Sequence, residues 1–173
     1  MLLHVCCANC AAYPLELFKD LFDITMLFFN PNIHPLEEYL KRLDDVKRLS
    51  GISSIPLIIG TYEPEKWHLS VKGLEDEPEG GKRCQRCFYM RLENTAALTK
   101  DNGMDIFATT LSISPHKDTS TINTAALSIS GDLGIKYHPA NLKKKDGFRK
   151  ANELSRSYGF YRQDYCGCQY SIR

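Results

Sequence analysis

Short apolar, β-prone runs alternate along the chain with longer stretches in which apolar positions recur at helical spacing. Residues 2–6 (LLHVC), 23–29 (DITMLFF), 55–60 (IPLIIG), 105–110 (DIFATT) and 135–139 (IKYHP) predict strands. Residues 11–22, 34–50, 83–100, 117–134 and 147–159 predict helices. In the second of these, Leu36, Tyr39, Leu40, Leu43 and then Val46 fall on one face, the spacing of a helix laid on a sheet. Strand followed by helix, five times over, is the pattern of an α/β domain with a mostly parallel sheet. The strands are almost continuously apolar, which indicates cover on both faces. The expected architecture is therefore a three-layer αβα single domain over residues 1–173, with a five-stranded, mostly parallel sheet. Such sheets bind ligands beyond the carboxyl ends of their strands. CCANC (6–10) follows the first strand and TTLSISPHK (109–117) the fourth, so both are predicted on one functional edge.

Composition narrows the class without naming a partner. With 173 residues, 43% hydrophobic and 25% charged, the chain suits one core. A formal net charge of +1 announces no polyanion, so any such partner must be met by local clusters. The apolar start MLLHVCC is too short for a signal-peptide core, and no segment approaches the ~20 apolar residues of a membrane span. A cytoplasmic protein without membrane contact is the expectation. In a reducing compartment, seven cysteines point to metal binding or catalysis rather than a disulfide framework.

Those cysteines form three groups: Cys6, Cys7 and Cys10; Cys84 and Cys87; Cys166 and Cys168. Two CxxC spacings let paired sulfurs reach one centre, and the glycine between Cys166 and Cys168 permits a bend that aims both the same way. Metal bonds to the last pair would tie down a segment that otherwise frays. Seven thiolates exceed the four ligands of a closed zinc site and suit the soft ligation of a 4Fe–4S cluster. Cys10, Cys84, Cys87 and Cys168 are taken as the cluster ligands, with Cys7 and Cys166 beside them. Cys6 and Cys7 are adjacent and point to opposite faces of an extended strand, which argues against both binding one metal. A structural zinc knot and a thioredoxin-like dithiol stand as alternatives, and Cys6 is as readily an inert buried thiol.

Taken together, LLHVCCANC, RCQRCFYMRL, TTLSISPHK and YRQDYCGCQYS resemble the QueH family of epoxyqueuosine reductases across essentially the whole chain. One departure is visible: the family reads CCAPC, and Asn9 stands at the proline position, where either residue can hold a turn. The resemblance implies a HUP/Rossmann-like fold related to PP-loop domains. It implies reduction of epoxyqueuosine to queuosine in the tRNA anticodon loop, with a 4Fe–4S cluster, an adjacent mononuclear iron and an external electron donor. CCANCAAYP contains no glycine and so lacks a phosphate cradle, which disfavours ATP. Cys6, Cys7 and Cys166 are assigned to the second metal.

Removing an epoxide oxygen takes two electrons and two protons. His116 is the first candidate proton donor, with Asp164 and Tyr165 as rivals. Thr110, Ser114 and Lys117 are expected to hold substrate, aided by a helix start behind Pro115 suited to an anion. Arg162, Gln163 and Tyr161 are expected to grip the base or ribose. Lys143, Lys144, Lys145, Arg149 and Lys150 are the expected tRNA phosphate contacts, joined by Lys82, Arg83, Arg86 and Arg91. His4 is expected to be a satisfied core histidine, while His34, His68 and His138 stand apart from these motifs. Two rival functions remain: an iron–sulfur tRNA-thiolating enzyme using ATP, and a non-catalytic zinc-stapled RNA-binding domain.

Overall fold

The computed structural model describes residues 1–172, so Arg173, the last residue of the expected domain and of the tail at 160–173, lies outside the described residues. Strands β1 (Leu2–His4), β2 (Thr25–Phe28), β3 (Leu57–Ile59), β4 (Ile106–Thr109) and β5 (Lys136–Tyr137) form one sheet in the order β3-β2-β1-β4-β5. Every pairing is parallel, so the expected "mostly parallel" sheet is wholly parallel among the described residues. Helices α1 (Ala8–Phe18), α2 (Leu36–Ser53), α3 (Pro64–Ser70), α4 (Lys82–Asp101), α5 (Thr119–Leu133) and α6 (Gly147–Ser157) connect and cover it.

The sheet is buried between two apolar layers. Leu3, Met26, Phe28 and Ala108 pack with Ala11 and Leu15 of α1, Leu43 and Val46 of α2 and Ala151 of α6. Phe107 packs on the opposite side with Leu92 and Ala96 of α4 and Ile122, Ala126 and Ile129 of α5. Each large apolar side chain fully removed from water stabilises the fold by about 1.5–3 kcal/mol. The strand order reverses direction at β1, whose neighbours are β2 on one side and β4 on the other. Carboxyl ends of β1 and β4 flank this switch point, where open α/β sheets leave a crevice.

Three differences from the sequence reading bear on the site. α1 begins at Ala8 rather than residue 11, with Cys7 as its N-cap residue. α3 was not expected: its seven residues are too short to display a period, yet Trp67 within it is wholly buried. The α2 face is also rotated. Leu36 and Leu40 are 49% and 45% exposed, while Glu38, Arg42 and Asp45 are buried beside Tyr39, Leu43 and Val46. A charged stripe of this kind can face inward only if something pairs with it. The carboxyl-terminal segment does so.

Candidate metal centre

The amino-terminal thiols are brought together by the abrupt change from β1 to α1. Cys7 is extended (φ −172°, ψ 162°) and Cys10 lies in the first helical turn, so side chains three residues apart share a face. The sulfurs of Cys6, Cys7 and Cys10 all lie within 4.8 Å of one another. Cys6 and Cys7 Sγ are 3.9 Å apart. A tetrahedral ion with ~2.3 Å bonds to sulfur separates its ligands by about 3.8 Å, so the spacing already matches a metal site. The expectation that Cys6 and Cys7 point to opposite faces is thereby corrected: β1 ends at His4, and strand alternation no longer governs the two thiols.

Electrostatics in the trio favour one shared thiolate. Hydrogen bonds from Cys10 and then Cys7 hold Cys6 well below the ordinary thiol value. The Cys10 thiol is pushed well above it by its bonds to Cys6 and then Cys7, and by burial. For Cys7, a bond from Cys10 acts downward, but the bond to Cys6 and burial prevail and push it up to about 12. A bound cation reverses this by taking all three as thiolates and releasing their protons. Beneath the trio, His4 is wholly buried, with Nδ1 2.9 Å from Thr109 Oγ1 and Nε2 3.2 Å from the Phe29 carbonyl. Burial, then the Arg91 charge, lowers its pKa to about 3, so it is the neutral core histidine expected.

The inward charged stripe of α2 grips the tail. Arg42 donates from Nη1 to the Cys166 carbonyl and from Nη2 to the Tyr165 carbonyl, both at 3.1 Å, while its Nε donates to Glu38 at 2.7 Å. Tyr161 donates its N–H to Asp45 at 2.5 Å and its hydroxyl to Glu38 at 2.9 Å. His34 N–H donates to the Gly167 carbonyl at 2.8 Å, and the Tyr165 hydroxyl donates to the His34 carbonyl. Gly167 has φ +102°, and a Cβ there would lie 2.8 Å from Ile33 and 3.2 Å from Arg42. Only glycine fits between the two cysteines, and the contacts from α2 and His34 hold this segment in place.

Cys166 and Cys168 thereby meet Cys84 and Cys87 from the first turns of α4 around one cavity. A hydrogen bond from Cys168 holds the Cys166 thiol down at about 5 against its burial, and the same bond raises Cys168. Among the described residues, three N–H groups on this cavity's lining are buried without a partner: Trp67 Nε1, Arg83 Nε and Arg91 Nε. Each unsatisfied donor costs about 1–3 kcal/mol. Four thiols ringed by unpartnered donors fit a sulfur-rich, negatively charged group. Cys166 also lines a second, more open cleft with Cys6 and Cys10, so the two thiol groups adjoin. All seven cysteines are free of disulfides.

Other expected site residues divide by placement. His116 and Lys117 line both cavities, and Ser114, Asp164, Gln163 and Tyr165 line the open cleft. Burial opposes the charge on Lys117, but the neighbouring Cys6, Cys10 and Cys166 raise its pKa nonetheless. Gln163 Nε2 donates to Cys7 Sγ at 2.8 Å. Thr110 is wholly buried, its hydroxyl 4.0 Å from Cys6 Sγ. The Tyr165 hydroxyl donates to the His34 carbonyl, and Arg42 lies 5.3 Å over its ring. The helix start behind Pro115 is corrected as an anion site: α5 begins at Thr119, and the Asp118 carboxylate already accepts the Thr121 N–H at 2.6 Å.

The basic residues are mostly engaged. Arg149 pairs with Asp146 and Glu153, Lys143 donates to the Lys117 carbonyl at 2.7 Å, and Lys150 reaches the Tyr13 hydroxyl at 3.4 Å. Arg83 and Arg91 are 3% and 2% exposed, bound to loop carbonyls and to Asn30 respectively, so they are not phosphate contacts. Lys82, Arg86, Lys144 and Lys145 are exposed. Arg162 is exposed and donates to Asn152 at 3.3 Å. His34 and His68, isolated in sequence, stack at 4.7 Å beside Trp67. Sequence reasoning also missed Arg42, Trp67 and Phe148, the last 40% exposed on the rim of the open cleft. Asn9, read as a turn residue, instead ties α1 to the tail, donating to the Tyr161 carbonyl at 2.9 Å and Gln163 Oε1 at 3.2 Å.

Thiols from three separate segments, gathered at the switch point of a wholly parallel sheet, define a HUP/Rossmann-like α/β domain with a pocket fit for metal. A solved structure described as a predicted subunit of a tRNA methyltransferase from Methanocaldococcus jannaschii shares this fold. It has a TM-score of 0.57 at 17% identity and covers 88% of this chain and 76% of its own. The chain belongs to the QueH family: the model described as "Epoxyqueuosine reductase QueH" matches residues 1–173. Curated relatives carrying that description include one from Streptococcus pyogenes serotype M1, 40% identical over all of this chain and 70% of its own length. One from Acinetobacter baylyi is 39% identical over all of this chain and 80% of its own. One from Thermotoga maritima is 37% identical over 99% of this chain and 90% of its own.

Proposed function

We infer that this chain is an epoxyqueuosine reductase, an oxidoreductase of queuosine biosynthesis that converts epoxyqueuosine to queuosine in the anticodon loop of tRNA. The observation that carries the reading is the meeting of seven free thiols at the sheet's switch point, within a chain of this family. Epoxide to alkene releases one oxygen as water and consumes two electrons and two protons. Cys84, Cys87, Cys166 and Cys168 would hold a 4Fe–4S cluster, and Cys6, Cys7 and Cys10 an adjacent iron. Bound there, these groups supply single electrons and a Lewis acid. This division exchanges Cys10 and Cys166 relative to the order suggested by sequence spacing, and it is supported by the short sulfur separations in the trio.

The protein's own groups bind, orient and protonate. The open cleft beside Cys6, Cys10 and Cys166 receives the flipped base, since chemistry on a loop base requires its removal from the stack. Gln163, held by Asn9, and Ser114 offer hydrogen bonds along its wall. Exposed Phe148 and Tyr161 offer ring faces to unstacked bases. His116, on the cleft wall, supplies a proton to the leaving oxygen, and the Lys117 ammonium holds negative charge beside it. Lys144 and Lys145 are the phosphate contacts best placed to meet tRNA. An external donor delivers the electrons and no ATP is consumed, in keeping with a cytoplasmic enzyme. Among the described residues no helix is long and apolar enough to cross a membrane.

The test is anaerobic reconstitution with iron and sulfide, then incubation with epoxyqueuosine-containing tRNA and a strong reductant, without ATP. Mass analysis is expected to show loss of one oxygen from the modified base. Full turnover by protein containing zinc alone overturns the metal assignment, and an absolute need for ATP favours a thiolation-type enzyme.

A further inference from the structure

Trp67 has no part in the chemistry above, yet it lines the same cavity as Cys84, Cys87, Cys166 and Cys168. Its side chain is 0% exposed and packs with Cys87 and Cys168. The indole Nε1–H is buried and has no hydrogen-bond partner among the described residues. Rings surround it: His34 and His68 lie 5.3 and 5.2 Å away and Tyr170 6.2 Å away. A tryptophan serving only as filler is normally seated so that its N–H finds a partner. Oxygens of Asn32, Glu79 and Asp118 also line the cavity, but the indole packs with Cys87 and Cys168, so an occupant carrying sulfur and held by those thiols is the partner its N–H is placed to meet.

We propose that Trp67 is a positioning residue that sets the reduction potential of the cavity's metal group, donating its indole N–H to a sulfur of the cluster or of a ligating cysteine. This rests on the reading that these four cysteines hold a 4Fe–4S cluster. A four-thiolate cluster becomes more negative when reduced, so a donor aimed at its sulfur stabilises the reduced form more than the oxidised form. Removing the donor lowers the potential and makes the electron harder to load. Phenylalanine keeps the apolar packing and loses only the donor and part of the ring.

Two measurements on anaerobically reconstituted protein decide it. Trp67→Phe is expected to shift the cluster's reduction equilibrium about tenfold toward the oxidised form, about 59 mV for one electron. Because Trp67 is the only tryptophan, labelling with 15N-indole marks this one nitrogen. Pulsed electron paramagnetic resonance of the reduced wild type should then show a 15N coupling, and this arm needs no variant to fold. A wild-type cluster without that coupling, or a Trp67→Phe potential equal to wild type, overturns the proposal. Wild-type protein that takes up no four-iron cluster removes the cluster reading beneath it as well, and is told apart by iron and sulfide content.

Discussion

The two thiol groups lie side by side but are built in opposite ways. Cys6, Cys7 and Cys10 come from one continuous turn between β1 and α1, anchored by a sheet that is buried on both faces. Cys84, Cys87, Cys166 and Cys168 come from a helix start and from a tail that forms no part of the sheet, held by hydrogen bonds from α2. The first group is local and pre-assembled; the second is closed only when residues more than 120 positions apart dock. Loosening the tail should therefore disable the quartet and spare the trio.

The largest expected effect follows from removing a quartet ligand. Cys84→Ala should abolish the four-iron signal and lower reductase turnover by more than the roughly 10–100-fold typical of outer-shell partners, as measured by oxygen loss from tRNA. Next comes the tail clamp. Arg42→Met strands the buried Glu38 carboxylate and frees two tail carbonyls. It should cost about 3–5 kcal/mol in urea unfolding of the metal-free protein. Gly167→Ala imposes a side chain at positive φ against Ile33 and Arg42 and should cost about 1–3 kcal/mol. In both variants that remain folded, the stoichiometry of metal held by the trio should match wild type while cluster content falls. Equal loss at both sites would break the comparison.

The smallest effect concerns pH under the trio. His4 has its pKa lowered from 6.5 to about 3, so the unfolded chain binds this proton more readily than the folded one. His4 thus favours folding fully above pH 6.5, and that contribution shrinks as pH falls toward 3. Urea midpoints of the metal-free protein should fall by the equivalent of about 1.4 kcal/mol per pH unit in this window from this group. A His4→Gln variant should lack that component of the slope.

The layer order, the strand positions and the meeting of the cysteine motifs were legible in the sequence, because apolar runs and strand ends obey local rules. What was hidden depended on partners distant in the chain. Arg42 sits among Glu38, Lys41 and Asp45 and looks like a solvated helix face, until a tail 120 residues later covers it. Asn9 looks like a turn former, whereas its amide joins α1 to Gln163 and, through that side chain, to Cys7. Cys6 and Cys7 were misjudged because strand alternation was extended two residues past the point where β1 stops. Trp67 lies in a helix of under two turns, below the length at which periodicity speaks.

Iron-57 Mössbauer spectroscopy of Cys10→Ala beside Cys166→Ala, both reconstituted anaerobically, tests the central division of the sulfurs most directly. Cys10→Ala is expected to keep the four-iron spectrum and lose the separate iron, whereas Cys166→Ala is expected to lose the four-iron spectrum. A four-iron cluster that vanishes with Cys10 and survives without Cys166 would contradict this division.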